Sequence, residues 1–183
     1  MSTAIAMHGL RLRRGEDYDP VSEAARAVRV AWAKSSNYLS RSASDWTPTI
    51  EAALREIAID CRHANWDGEG ASPVAEATVL LAERIAQSLF VLLPKGTPAP
   101  DVIAEHDGEI SLNWSIDPTR MFSMSIGDHG KINFAGQFGS EGGIHAWQPV
   151  DASSQETLEA SLGDVVRFIG RLYEPPAAAR RAA

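Results

Sequence analysis

The sequence predicts an α+β fold: an antiparallel meander of four to five strands with helices packed on one face, in the order α-α-β-β-β-β-α, preceded by a helical arm. Three observations carry that prediction. Residues 50–61 repeat apolar side chains with the period of a helix. From Ile110 to Phe138 the apolar period switches to two. A capped amphipathic segment then closes the chain after residue 153. Helices segregated to one face of an antiparallel sheet are the layer architecture that such an order produces. At 183 residues, with 44% hydrophobic and 22% charged residues, the chain has the length and composition of one globular domain with appendages.

The elements follow in order. Residues 1–20 lack apolar periodicity and read as a flexible leader, holding Arg11, Arg13 and Arg14. Asp19-Pro20 is a helix-start signal, and Ala24, Val28, Ala31 and Trp32 at helical spacing predict a short helix over 21–34. Ser35-Ser36-Asn37 ends it, and the serine-rich stretch to Asp45 reads as a linker, so residues 1–45 form an arm and 46–173 the α+β domain. Thr47-Pro48 opens a clear helix with Ile50, Ala53, Leu54, Ile57, Ala58 and Cys61 on one stripe. The turn Asn65–Gly70 breaks it, because two glycines and an Asx pair favour turn geometry. Ser72-Pro73 then predicts a second helix running to about Leu93, apolar on most of its circumference and hence central and buried. Pro94, Pro98 and Pro100 forbid helix beyond it.

The first strand starts near Val102. Ile110, Leu112, Trp114 and Ile116 alternate with polar residues, as do Phe122, Met124 and Ile126, and then Ile132, Phe134, Gly136 and Phe138. The joints His106-Asp107-Gly108, Asp117-Pro118-Thr119 and Asp128-His129-Gly130 are tight turns, which demand antiparallel neighbours. Ile144–Val150 reads as a fifth, edge strand. Ser153-x-x-Glu156 is a capping box for one final helix with Leu158, Leu162, Val165, Ile169 and Leu172 inward. Pro175-Pro176 stops it, and residues 174–183 read as a disordered tail.

Composition excludes several functions. The apolar stretch Val79–Leu93 is broken by Glu83, Arg84, Gln87 and Ser88, so the sequence predicts no membrane span. Residues 1–15 lack a continuous apolar run, which argues against a secretory signal. The single cysteine fits a reducing cytoplasm. The formal net charge is −7, and it is unevenly placed: residues 1–34 carry a net +2, and residues 45–110 carry twelve acids against four bases. Such a body repels phosphate, so direct nucleic-acid binding is expected only through the arginines of the arm.

Chemistry-bearing motifs are few. The five histidines show no zinc-ligand spacing, and one cysteine excludes a thiolate cage, so no metal or cofactor is expected. There is no Gly-x-Ser-x-Gly and no phosphate-binding glycine loop, and no catalytic residue is assigned. Two surfaces remain. The outward strand positions Ser111, Asn113, Ser123, Ser125, Asn133 and Gln137 are small, polar and uncharged, and suit a contact platform for another protein. With Arg11, Arg13 and Arg14 they form the expected partner-binding set, for a basic or nucleic-acid-handling protein or for a second copy of the chain. The alternative is a small hydrolase with Asp67, Glu69, His106, Asp107 and Glu109 around its site, Asp67 and Glu109 acting as acid and base.

Asn65-Trp66-Asp67-Gly68-Glu69-Gly70-Ala71, the proline-rich link, the stretch Asp107-Gly108-Glu109-Ile110-Ser111-Leu112-Asn113-Trp114 and Ile132–Gly136 together carry a resemblance. Over about Thr49 to Gly139 the chain resembles a family of small, uncharacterised bacterial proteins found in mobile or phage-derived DNA. The resemblance implies the same architecture and no particular reaction. Its setting implies an accessory, inhibitory or immunity role in phage–host or toxin conflict.

Overall fold

In the computed structural model, residues 46–128, 130–139 and 142–174 are described. The expected helix at 21–34, Arg11, Arg13 and Arg14, and the tail from residue 175 lie outside the described residues. The described elements run α1 (Thr47–Asp60), α2 (Glu76–Leu92), β1 (Asp101–Ala104), β2 (Ile110–Asp117), β3 (Arg120–Ile126), β4 (Lys131–Phe138), β5 (Gly143–Pro149), α3 (Gln155–Ser161) and α4 (Gly163–Leu172). The strands form one antiparallel sheet in chain order, β1-β2-β3-β4-β5. The fold is therefore the α+β meander that the alternating pattern predicts, with the edge strand β5 in place.

Alternation puts one set of side chains beneath the helices. Leu112, Met124, Phe134 and Ala146 form one inward row, and Trp114, Phe122 and Gly136 form the next. The rings connect into a chain: Trp46 to Trp114 at 6.2 Å, Trp114 to Phe122 at 6.2 Å, Phe122 to Phe134 at 5.9 Å. Phe168 of α4 lies 5.7–6.4 Å from Phe134, Phe138 and Phe122. Such tilted ring pairs add to the area they bury. The proline-rich link 94–100 is fastened to this chain from both layers. The Trp46 indole donates to the Thr97 carbonyl at 3.0 Å, and the Trp114 indole donates to the Pro98 carbonyl at 3.1 Å.

Five local expectations are corrected. The second helix starts at Glu76, not at Ser72-Pro73. Ser72 donates its amide to the His106 carbonyl and Val74 donates to the Cys61 carbonyl, so tertiary hydrogen bonds hold this stretch extended. α2 buries Thr78, Ala82, Ile85, Ala86, Ser88 and Leu89, while Leu80, Phe90 and Val91 are exposed, so it is not buried on most of its circumference. The final helix is two, broken at Leu162, and its capping box is Ser154 with Thr157 rather than Ser153 with Glu156. Ile116 sits at a register shift between Ser115 and Asp117 and is only partly buried. Asp117 closes the turn after that shift. Its carboxylate accepts from the Thr119 hydroxyl, the Thr119 amide and Arg120, which lowers its pKa to about 2.

Gly136 shows how tightly the inner face is filled. A Cβ there would lie 2.9 Å from Phe138 Cζ and 3.1 Å from Phe122 Cδ2. Both rings are buried in the core, so Gly136→Ala is expected to destabilise the fold by about 1–3 kcal/mol. Urea denaturation followed by tryptophan fluorescence measures this as a lower midpoint with an unchanged slope.

Candidate functional site

The segment after α1 builds itself into a closed loop. Asn65 takes a left-handed conformation (φ 61°) and donates its amide to the Ala71 carbonyl at 2.7 Å. Its side-chain Oδ1 accepts from the Gly70 amide at 2.7 Å. Asp67 Oδ1 accepts from the amides of Glu69 (2.8 Å) and Ala71 (3.1 Å). The Trp66 indole donates to the Ser72 carbonyl at 2.9 Å. Gly68 and Gly70 have φ of 79° and 96°, which favours glycine at both.

This loop is docked on the turn that precedes β2. Asp67 Oδ2 meets His106 Nδ1 at 2.9 Å. Gly108 (φ 89°) passes so close to the extended stretch that an added Cβ would lie 2.7 Å from the Pro73 carbonyl oxygen. The turn itself is held by the Glu105 amide donating to the Glu109 carbonyl and by Asp107 Oδ1 accepting from the Glu109 amide. Thus Asp67 and His106, 39 residues apart, are brought together. Asp107 is spent on its own turn.

The pair's electrostatics favour a fastening. The Glu69 amide foremost, then the His106 contact and the Ala71 amide, lower the Asp67 pKa to about 2. A carboxylate held that low is a weak base near neutrality and has no proton to give as an acid. Ionised, it accepts only, so His106 Nδ1 is the donor of the pair. The His106 side chain is 63% exposed. Cys61 offers no nucleophile: it is buried on the α1 stripe, and burial, with Asp60 nearby, raises its thiol pKa. Among the described residues, no three His, Cys, Asp or Glu side chains are grouped to hold a metal ion.

The second candidate surface is the sheet face away from the helices. Its rows across the strands read Ile103, Ser111, Ser125, Asn133, Trp147; then Asp101, Asn113, Ser123, Ala135, His145; then Ser115, Met121, Gln137, Gly143. Alternation thus places all six expected contact residues of the strands on one face. They are not equally accessible. Asn133 and Gln137 are exposed, Asn113, Ser123 and Ser125 are half-buried, and Ser111 is 3% exposed between Ile103 and Ser125. Ser111 is a floor residue. The face also carries Ile103, Met121, His145 and Trp147, which were not singled out; period-two counting from Ala146 and Gln148 points to the last two. Trp147 is 41% exposed, with the Lys131 ammonium 5.1 Å from its ring centre. Among the described residues, no helix is long and apolar enough to cross a membrane.

Two substitutions test the docked loop. Gly108→Ala combines a clash on backbone with an unfavourable φ and is expected to cost about 1–3 kcal/mol in unfolding free energy. Asp67→Asn is expected to lower the thermal midpoint at pH 6. A carboxylate whose pKa is depressed on folding stabilises above its unfolded value and ceases to do so as pH falls through the folded one. With a drop from 3.8 to about 2, the gap between the two proteins should close between pH 4 and pH 2. A gap that persists unchanged at pH 2 would contradict this role.

Comparison with known proteins adds no relative: no family model, curated protein or solved structure matches the chain.

Proposed function

We propose that the protein is a non-enzymatic, cytoplasmic binding module that holds another protein against the open face of its sheet. One observation carries this reading. On the face away from the helices, β2, β3 and β4 present Asn113, Ser123, Ser125, Asn133 and Gln137, flanked by Ile103, Met121 and the half-exposed Trp147 beside Lys131. A merely solvated sheet face is normally studded with long charged side chains, whereas short serines and asparagines let a partner approach the backbone closely. Interfaces are depleted in lysine and glutamate and enriched in tryptophan. The partner we infer is basic, because residues 45–110 carry twelve acids against four bases and would steer such a protein in. The resemblance of residues 49–139 to phage-associated bacterial proteins supports an accessory or inhibitory role in phage–host or toxin conflict.

The hydrolase reading has one observation in its favour, the Asp67–His106 contact at 2.9 Å. The depressed Asp67 pKa and the capping duties of Asp67 and Asp107 favour a structural role instead.

Ser123→Arg combined with Asn133→Arg places two long cations in the centre of the face without touching the core. Quantitative co-purification from the native host, with the unmodified chain and an α1 surface variant, Glu56→Arg, as references, tests the proposal. A basic protein retained by both references and lost from the double variant is expected. An identical set of co-purifying proteins in all three would overturn the assignment of this face. Light scattering at rising concentration identifies the case in which the occupant is a second copy.

A further inference from the structure

The exposed apolar side chains are unevenly placed. Of the large ones among the described residues (Ile59, Leu80, Phe90, Val91 and Trp147), three belong to α2. Leu80 and Val91 are 53% and 72% exposed and stand eleven residues apart on the stripe that faces away from the sheet. Between them Gln87 is exposed, while Arg84 reaches aside to donate to the Ala152 carbonyl at 2.8 Å. Phe90 turns toward α1, its ring 5.6 Å from Trp46, and edges a shallow groove with Ile50, Glu51, Glu83 and Gln87. Surface helices ordinarily put charge on their outer stripe. Here that stripe is apolar at both ends and acidic along the side facing α1.

Something of the right pattern is attached next to it. Residues 1–45 join the domain at Trp46, beside Phe90. Within them Val21, Ala24, Val28, Ala31 and Trp32 have helical spacing, and Arg26 and Arg29 lie off that stripe. Val21 to Trp32 covers eleven positions, the same roughly 16 Å of helix as Leu80 to Val91. The connecting residues 35–45 can reach about 36 Å when extended, longer than the roughly 25 Å of α2. Charge matches as well: the first 34 residues carry a net +2, and the groove presents Glu51 and Glu83.

We infer that residues 21–34 of the same molecule form a helix seated on the outer stripe of α2, with Val28 and Trp32 covering the surface between Leu80 and Val91. Arg29, about 100° round the helix from Val28, flanks the seated stripe and faces Glu51 and Glu83 in this arrangement, while Arg26 points away from α2. The inference does not rest on the sheet-face reading, and either stands if the other fails.

Amide hydrogen exchange on the full chain tests it. Amides of residues 24–32 are expected to exchange at least tenfold more slowly than a random coil. In the variant carrying Leu80→Glu and Val91→Glu they are expected to exchange at the random-coil rate, with β3 amides unchanged. Val28→Asp, which alters no described residue, is expected to produce the same loss. Random-coil exchange in the unmodified chain would overturn the proposal, and so would protection that survives the two α2 substitutions. Protection that grows with protein concentration, alongside a dimer mass in light scattering, would overturn it in favour of a second copy.

Discussion

The indole hydrogen bonds of Trp46 and Trp114 hold the two layers of this protein in one arrangement. Their acceptors are consecutive carbonyls, Thr97 and Pro98, in a link where Pro94, Pro98 and Pro100 have removed three amide donors. A proline-rich strap is rich in acceptors and poor in donors. Buried indoles have the opposite need, a single donor without an acceptor. Each therefore satisfies the other at the point where α2 hands over to β1. Trp46 precedes α1 and Trp114 lies in β2, so one strap sets the distance between helix layer and sheet. The ring chain through Phe122, Phe134 and Phe168 extends that constraint to the last helix.

The loop at 65–72 obeys a similar economy. Asn65, Trp66, Asp67, Gly68 and Gly70 each have a conformational or hydrogen-bonding duty within it or toward residues 105–109. The stretches 65–73 and 106–109 meet in space through Asp67–His106 and through Gly108 against Pro73. Together they form a single structural joint. Asp67, His106 and Asp107, which suggest chemistry in one dimension, hold two turns together in three.

How much of this was legible in the sequence depended on whether a signal was local. The α1 stripe and the alternation of β2, β3 and β4 were readable because each element buries one side only, which writes a period into the chain. The start of α2 was not. Ser72-Pro73 is a sound local start signal, but Ser72 and Val74 are held extended by the carbonyls of His106 and Cys61, partners that no window contains. Leu162 likewise interrupts a continuous apolar stripe that period alone reads as one helix. In the candidate site, alternation found the polar face, yet the burial of Ser111 depends on its cross-strand neighbours. The Asp67–His106 contact bridges 39 positions and needs the fold to be seen.

The position of Phe168 has a consequence for how the chain is made. The aromatic rows of β2, β3 and β4 are complete once Phe138 has left the ribosome, but the ring that covers them comes thirty residues later. At roughly 5–20 residues per second, that inner face waits on the order of 2–6 s for its lid. During this interval the nascent meander shows its most aromatic surface to solvent. α1 and α2 precede it in synthesis and shield the Trp114 end, so the exposed remainder is the Phe134–Phe138 corner, where a trigger for early aggregation or for chaperone capture would act.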